Sequence, residues 1–155
     1  MVYMHREGHV GFSLIILSVI MSLLNSWDFN SLITAVIVLG FSTFPDVDLR
    51  LKVSHRKWTH SVFFGLFVGL AFGWVTKMIG LSFRIGFLGA FGGILLHILG
   101  DLLTYKPFAP FYPVSKRKIA LGLFRSDNTV INKLMLILGI LTFSILYLHF
   151  NSEYF

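Results

Sequence analysis

The sequence predicts an all-α, polytopic membrane bundle of about five transmembrane helices, and three observations carry that reading. Apolar residues make up 55% of the 155-residue chain, and the mean hydropathy is +0.79. Only 13% of residues are charged, about half the share of an ordinary soluble domain and too few to cover so large a surface in water. The apolar residues also gather into separate runs joined by short polar connections. This composition argues against a soluble enzyme, a nucleic-acid module or a disordered tail. The length suits one membrane-embedded domain over residues 1–155. The chain has no cysteine, which excludes disulfides, thiolate metal sites and cysteine nucleophiles.

The runs are Val10–Leu24, Phe29–Phe44, Trp58–Thr76, Ile85–Tyr105 and Val130–Phe150. A helical span needs about 20 residues. The last three runs meet that length, and the first two need their polar flanks, so the first helix is expected from near His9 to near Trp27. The first run follows His5, Arg6, Glu7 and His9 and ends in no small-residue cleavage site, so it reads as a span and not a signal peptide. Gly65, Gly69 and Gly73 recur every four residues, and Gly86, Gly89, Gly92 and Gly93 crowd the fourth run. Small residues let helices approach closely in lipid, so the third and fourth runs should pack tightly, with Gly40 and Gly139 as further contact points. The longest connection, 106–129, opens with Pro107, Pro110 and Pro113, which bar a regular helix there. It continues through Lys116-Arg117-Lys118 into the apolar stretch Ile119–Phe124, too short to span and expected at the interface or dipping into the bundle.

Five spans put alternate connections on opposite faces. Of the 13 Lys and Arg, Arg6, Arg50, Lys52, Arg56, Lys57, Lys106, Lys116, Arg117, Lys118, Arg125 and Lys133 fall on one face. Only Lys77 and Arg84 fall on the other. Basic residues in short connections mark the cytoplasmic side. The chain is therefore expected to be a multi-pass protein of the cell membrane, with its N-terminus cytoplasmic and its C-terminus external.

Imidazoles and carboxylates inside apolar spans are costly and mark function by default. His97 and Asp101 lie four apart in the fourth run and share a helix face; Thr104 lies near that face. Pro45 ends the second run with Asp46 and Asp48 after it, His55, Arg56, Thr59, His60 and Ser61 stand at the mouth of the third, and His5, Glu7 and His9 precede the first. All of these map to the basic face, whereas His149 falls on the other and reads as an interfacial side chain. Imidazole and carboxylate are the ligand types of zinc, manganese and iron sites. The candidate metal ligands are His9, Asp46, Asp48, His55, His60, His97 and Asp101. Seven exceed what one open four-coordinate zinc takes, and suit two ions bridged by a carboxylate with one residue held back as a base.

These pieces carry a resemblance. Phe44-Pro45-Asp46-Val47-Asp48, His55-Arg56-Lys57-Trp58-Thr59-His60-Ser61 and His97-x-x-Gly100-Asp101-x-x-Thr104 resemble the YdjM-like family of membrane-bound metal-dependent hydrolases over most of the chain up to about residue 125. The family's Pro-Asp-x-Asp turn falls on Pro45 to Asp48, its His-Arg-x-x-Thr-His-Ser motif on His55 to Ser61, and its His-x-x-x-Asp motif on His97 and Asp101. Its later Leu-x-Pro segment is similar to Phe111-Tyr112-Pro113. Its leading Thr-His matches Gly8-His9, so the threonine is absent here. The family is distantly similar to zinc-dependent phospholipase C and single-strand nucleases, which favours a phosphoester as substrate.

The resemblance and the residues together point to hydrolysis by metal-activated water at a cytoplasmic-facing site. Zinc is the first choice of metal, with manganese or magnesium next, at one or two ions per chain. The catalytic set is Asp48 as general base, Arg56 as a bidentate phosphate clamp, and Thr59 as a group supporting the ligands. The expected partners are membrane lipid and an amphiphilic phosphoester, with no nucleic acid. The competing reading is a divalent-metal-binding or transporting membrane protein without hydrolase activity, since intramembrane His and Asp also mark ion paths.

Overall fold

The computed structural model describes residues 4–46 and 58–152; Asp48, His55 and Arg56 lie outside them. The described chain is all-helical: α1 (Arg6–Leu23), α2 (Phe29–Phe41), α3 (Val62–Met78), α4 (Phe83–Leu102) and α5 (Thr129–Asn151). Among the described residues only two isolated β-bridges interrupt this pattern, and there is no strand.

α1, α4 and α5 are long and apolar enough to cross a membrane, whereas α2 and α3 are shorter, at 13 and 17 residues. α1 is long enough to span, as expected, but it runs from Arg6 to Leu23 instead of from near His9 to near Trp27, whereas the third run, expected to be long enough, yields the shorter α3. α1 gains a turn by starting at Arg6, with Glu7 in its first turn, where a carboxylate complements the helix dipole. α3 loses its first turn to capping. Ser61 Oγ accepts from Phe64 N at 3.1 Å and donates to the Trp58 carbonyl at 2.8 Å, closing a non-helical turn before Val62. Val62 N then donates to the Pro110 carbonyl at 2.9 Å, which ties the start of α3 to the long connection. The other starts are equally local, with Asp28, Ser82 and Asn128 side chains accepting from the first free amides of α2, α4 and α5.

α4 is the centre of the bundle, packing on α3, α2 and α1, while α5 packs on α1 alone among the helices. The glycines explain these choices. A Cβ at Gly65, Gly69 or Gly73 of α3 would press on Ile94, Phe91 or Phe83 of α4. On α4, Gly86 faces Thr76 and Phe72 of α3, and Gly89 and Gly93 face Ile37, Val38 and Phe41 of α2. The glycine crowd in α4 therefore serves two neighbours at once. α1 and α5 meet through Gly11, which abuts the backbone of Met135 and Leu136, and Gly139, where a Cβ would come 2.5 Å from the Gly11 carbonyl. Gly40 is not a contact point, since a Cβ there would meet nothing. At the far end of α1, buried Trp27 gathers Phe143, Tyr147 and Phe150 of α5.

The connection after α4 both enters the bundle and faces outward. Leu121 N, Leu123 N and Gly122 N donate to the carbonyls of Leu102, Leu103 and Thr104 at 2.7, 2.9 and 3.3 Å. Carbonyls at the end of α4 thus gain partners from an extended strip. Phe108 and Ile119 exchange backbone bonds at 3.2 and 2.9 Å. Phe108 and Phe124 are buried, while Leu121 and Leu123 are exposed.

Candidate metal centre

Four separate segments deliver ionisable side chains to one end of the bundle. His9 sits in the first turns of α1, Asp46 just after α2, His60 in the capping turn before α3, and His97 and Asp101 in the last turns of α4. The alternation of helix direction brings these ends together, because the site uses the N-terminal ends of α1 and α3 and the C-terminal ends of α2 and α4. His9, His60, His97 and Asp101 are buried, and Asp46 lies at the edge.

Each of the three imidazoles faces both carboxylates. His60 Nε2 lies 3.5 Å from Asp46 Oδ1 and 3.5 Å from Asp101 Oδ2. His97 Nε2 lies 3.8 and 3.9 Å from the same two oxygens, and His9 Nε2 lies 3.8 Å from Asp46 Oδ2 and 3.9 Å from Asp101 Oδ1. Charge-assisted hydrogen bonds are about 2.7–2.9 Å long, so these six pairs point at one another without bonding. Two donors each about 2.1 Å from a tetrahedral ion stand about 3.4 Å apart, close to the separations at His60. Two triads meet the geometry of a cation site, His9–Asp46–His97 and His60–His97–Asp101, with ligand atoms within 4.8 Å of one another.

The rings are fixed from behind. His97 Nδ1 lies 2.8 Å from the Ser42 carbonyl. A carbonyl only accepts, so Nδ1 carries a proton, and Nε2 is the nitrogen turned towards the carboxylates. The Thr59 hydroxyl, which can donate or accept, lies 3.0 Å from His60 Nδ1 and holds that ring in place. His9 stacks on His97 with centroids 3.9 Å apart, and its Nδ1 edge lies against Gly100, where a Cβ would come 3.2 Å from His9 Nδ1. Phe108 closes over His60 with ring centroids 6.4 Å apart. The residues present therefore fit a divalent ion. His97 offers a single nitrogen, so the two triads compete for it, and a second ion would depend on bridging by Asp46 or Asp101.

Of the seven proposed ligands, the structure brings together His9, Asp46, His60, His97 and Asp101. Asp48 and His55 lie outside the described residues, as does Arg56 of the catalytic set. Thr59 touches His60, Ser61 caps α3, and Thr104 donates to the Asp101 backbone carbonyl at 2.8 Å and not to its carboxylate. Neither His5 nor Glu7 joins either triad. Ser42 and Phe108 went unmarked by the sequence: Ser42 contributes a carbonyl that any residue would supply, and Phe108 is one of 17 phenylalanines.

No curated protein and no solved structure matches the chain. A family described as YdjM inner membrane protein matches over residues 4–154, nearly the whole chain and every described segment that builds the centre. The resemblance carried by the Pro-Asp, Thr-His-Ser and His-x-x-x-Asp motifs holds, and the chain belongs to the YdjM inner membrane protein family.

Proposed function

We propose that the protein is a membrane-bound metal-dependent hydrolase acting on a phosphoester, with a phospholipid or lipid phosphate as the favoured substrate. The observation that carries this reading is the convergence of three buried imidazoles, each turned towards the same two carboxylates, at one end of an apolar bundle. Holding a buried carboxylate beside a half-buried one is costly without a cation, and the Ser42 carbonyl prepares His97 as a ligand. His9, Asp46, His60, His97 and Asp101 would hold the ion, with His55 as a further ligand and Asp48 held back as the base. In the same reading all five helices cross the membrane, and this end faces the cytoplasm.

A bound ion supplies Lewis acidity, bringing the pKa of water down to about 7 and drawing charge from a phosphoryl oxygen. The chain's own residues do the rest. Asp48 accepts the proton of the attacking water, and Arg56 forks onto the non-bridging phosphate oxygens. Thr59 holds the His60 ring and Ser42 the His97 ring. Phe108 shields the side of His60 from bulk water. The water oxygen bonds to phosphorus as the P–O ester bond breaks, the phosphate stays on Arg56, and the leaving oxygen takes up the proton that Asp48 accepted.

Purified protein should carry at least one divalent metal per chain, and His97→Ala and Asp101→Asn should each lower that content while helical signal is kept. Chelation should stop phosphate or headgroup release from a lipid panel, and Zn²⁺, Mn²⁺ or Mg²⁺ should restore it. Full metal retention in both variants would overturn the centre. Metal-dependent ion flux in liposomes with no release from any lipid would replace hydrolysis by transport.

A further inference from the structure

The connection between α4 and α5 carries a surface that the hydrolase reading does not use. Leu121, Leu123 and Val114 are 60%, 64% and 79% exposed. Looseness is not the cause. The strip is pinned through Leu121 N and Leu123 N to the end of α4 at 2.7 and 2.9 Å, and through Ile119 N to Phe108 at 2.9 Å. Its inward positions are filled by Phe108 and Phe124, so the outward leucines are held out by a fixed backbone.

Cations sit beside this apolar strip. Lys116, Arg117 and Lys118 are all exposed, and Arg117 N donates to Ser115 Oγ at 3.2 Å, which sets the turn that presents them. No Asp or Glu occurs between Tyr105 and Phe124, so no carboxylate of the segment neutralises them. The nearest acid in sequence, Asp127, is already engaged by Arg125 at 3.1 Å. The surface lies where α4 ends and α5 begins, two helices apolar and long enough to cross a membrane. That is the level of the lipid headgroups.

We propose that this connection is an interfacial platform that recruits anionic phospholipids. Leu121, Leu123 and Val114 enter the upper acyl region, while Lys116, Arg117 and Lys118 hold headgroup phosphates around them. A lipid surface is the occupant that matches a cationic block flanked by exposed apolar side chains within a few residues. A basic residue near such a surface favours an anionic lipid roughly five-fold.

The chain has no cysteine, so Val114→Cys places a single bimane label on the platform. The full-length protein is reconstituted in mixed phosphatidylcholine and phosphatidylglycerol vesicles in which one lipid or the other, at equal mole fraction, carries a spin-labelled quencher. Quenching should be several-fold stronger from phosphatidylglycerol. The preference should vanish when Lys116, Arg117 and Lys118 are all changed to Gln, and should persist in Lys77→Gln/Arg84→Gln with helical content unchanged in both. Inorganic phosphate at matched ionic strength should leave it intact. Equal quenching by the two lipids, no quenching by either, or an undiminished preference in the triple variant would overturn the proposal. So would displacement by inorganic phosphate, which would make the site one for a soluble anion. Metal content and lipid hydrolysis do not enter this readout, so the platform stands or falls apart from the hydrolase reading.

Discussion

Thr59 lies 3.0 Å from His60 Nδ1 and reaches the centre only through that ring. Removing such an outer partner costs about 10–100-fold in metal affinity. Thr59→Val should therefore weaken metal binding by that factor in a chelator competition, with helical content unchanged, and Thr59→Ser should restore most of it. Unaltered affinity in the valine variant would leave Thr59 a purely local turn residue. Such residue-scale chemistry was legible in the sequence where charge made it conspicuous. His97 and Asp101, four apart in an apolar run, announce themselves because imidazole and carboxylate are costly in such surroundings. Ser42 could not be found that way, because its part is played by a backbone carbonyl 55 residues from His97.

At the scale of elements, apolar runs locate helices and capping side chains decide their ends. The run from Trp58 promised a long helix, but the Ser61 hydroxyl claims the amide of Phe64 and delays α3 to Val62. The run ending at Tyr105 stops at Leu102, where the amides of the returning strip meet the final carbonyls. Glycine spacing correctly marked the α3–α4 seam, yet the pattern cannot separate a buried glycine from one facing lipid. Gly11 and Gly40 make the contrast measurable. Gly11→Leu should destabilise by about 1–3 kcal/mol through overpacking against α5, while Gly40→Ala should be neutral or stabilise by up to about 1 kcal/mol through helix propensity. Thermal or denaturant unfolding in detergent reads both. At the start of α2, the hydrogen bond from the Ser31 hydroxyl is the main cause holding the Asp28 carboxyl below its ordinary range. A lowered carboxyl stabilises the fold above its unfolded pKa, and that stabilisation fades as pH falls through the folded value. Acidification should thus fray α2, and Asp28→Asn, which still caps, should remove that acid dependence in a pH series of circular dichroism.

For the whole molecule, five helices running alternately up and down predict that the two ends of the chain emerge on opposite sides. Single cysteines placed by His5→Cys and Ser152→Cys should label from opposite sides of sealed vesicles, with His5→Cys cytoplasmic. Labelling of both from the same side would remove the five-span arrangement. The centre also has an order in time, set by where its parts lie along the chain. His9, Asp46 and His60 are synthesised first, but His97 and Asp101 arrive only with α4, the helix on which α1, α2 and α3 all pack. A nascent chain halted before α4 has three polar groups at the membrane edge and no central helix to gather them. Completion of the polar end thus waits for α4, and α1 gains its main partner only with α5. Chains truncated ahead of His97 should be recognised as unfinished and degraded, while chains that have passed Thr104 should already hold α2, α3 and α4 together, with α1 still awaiting α5.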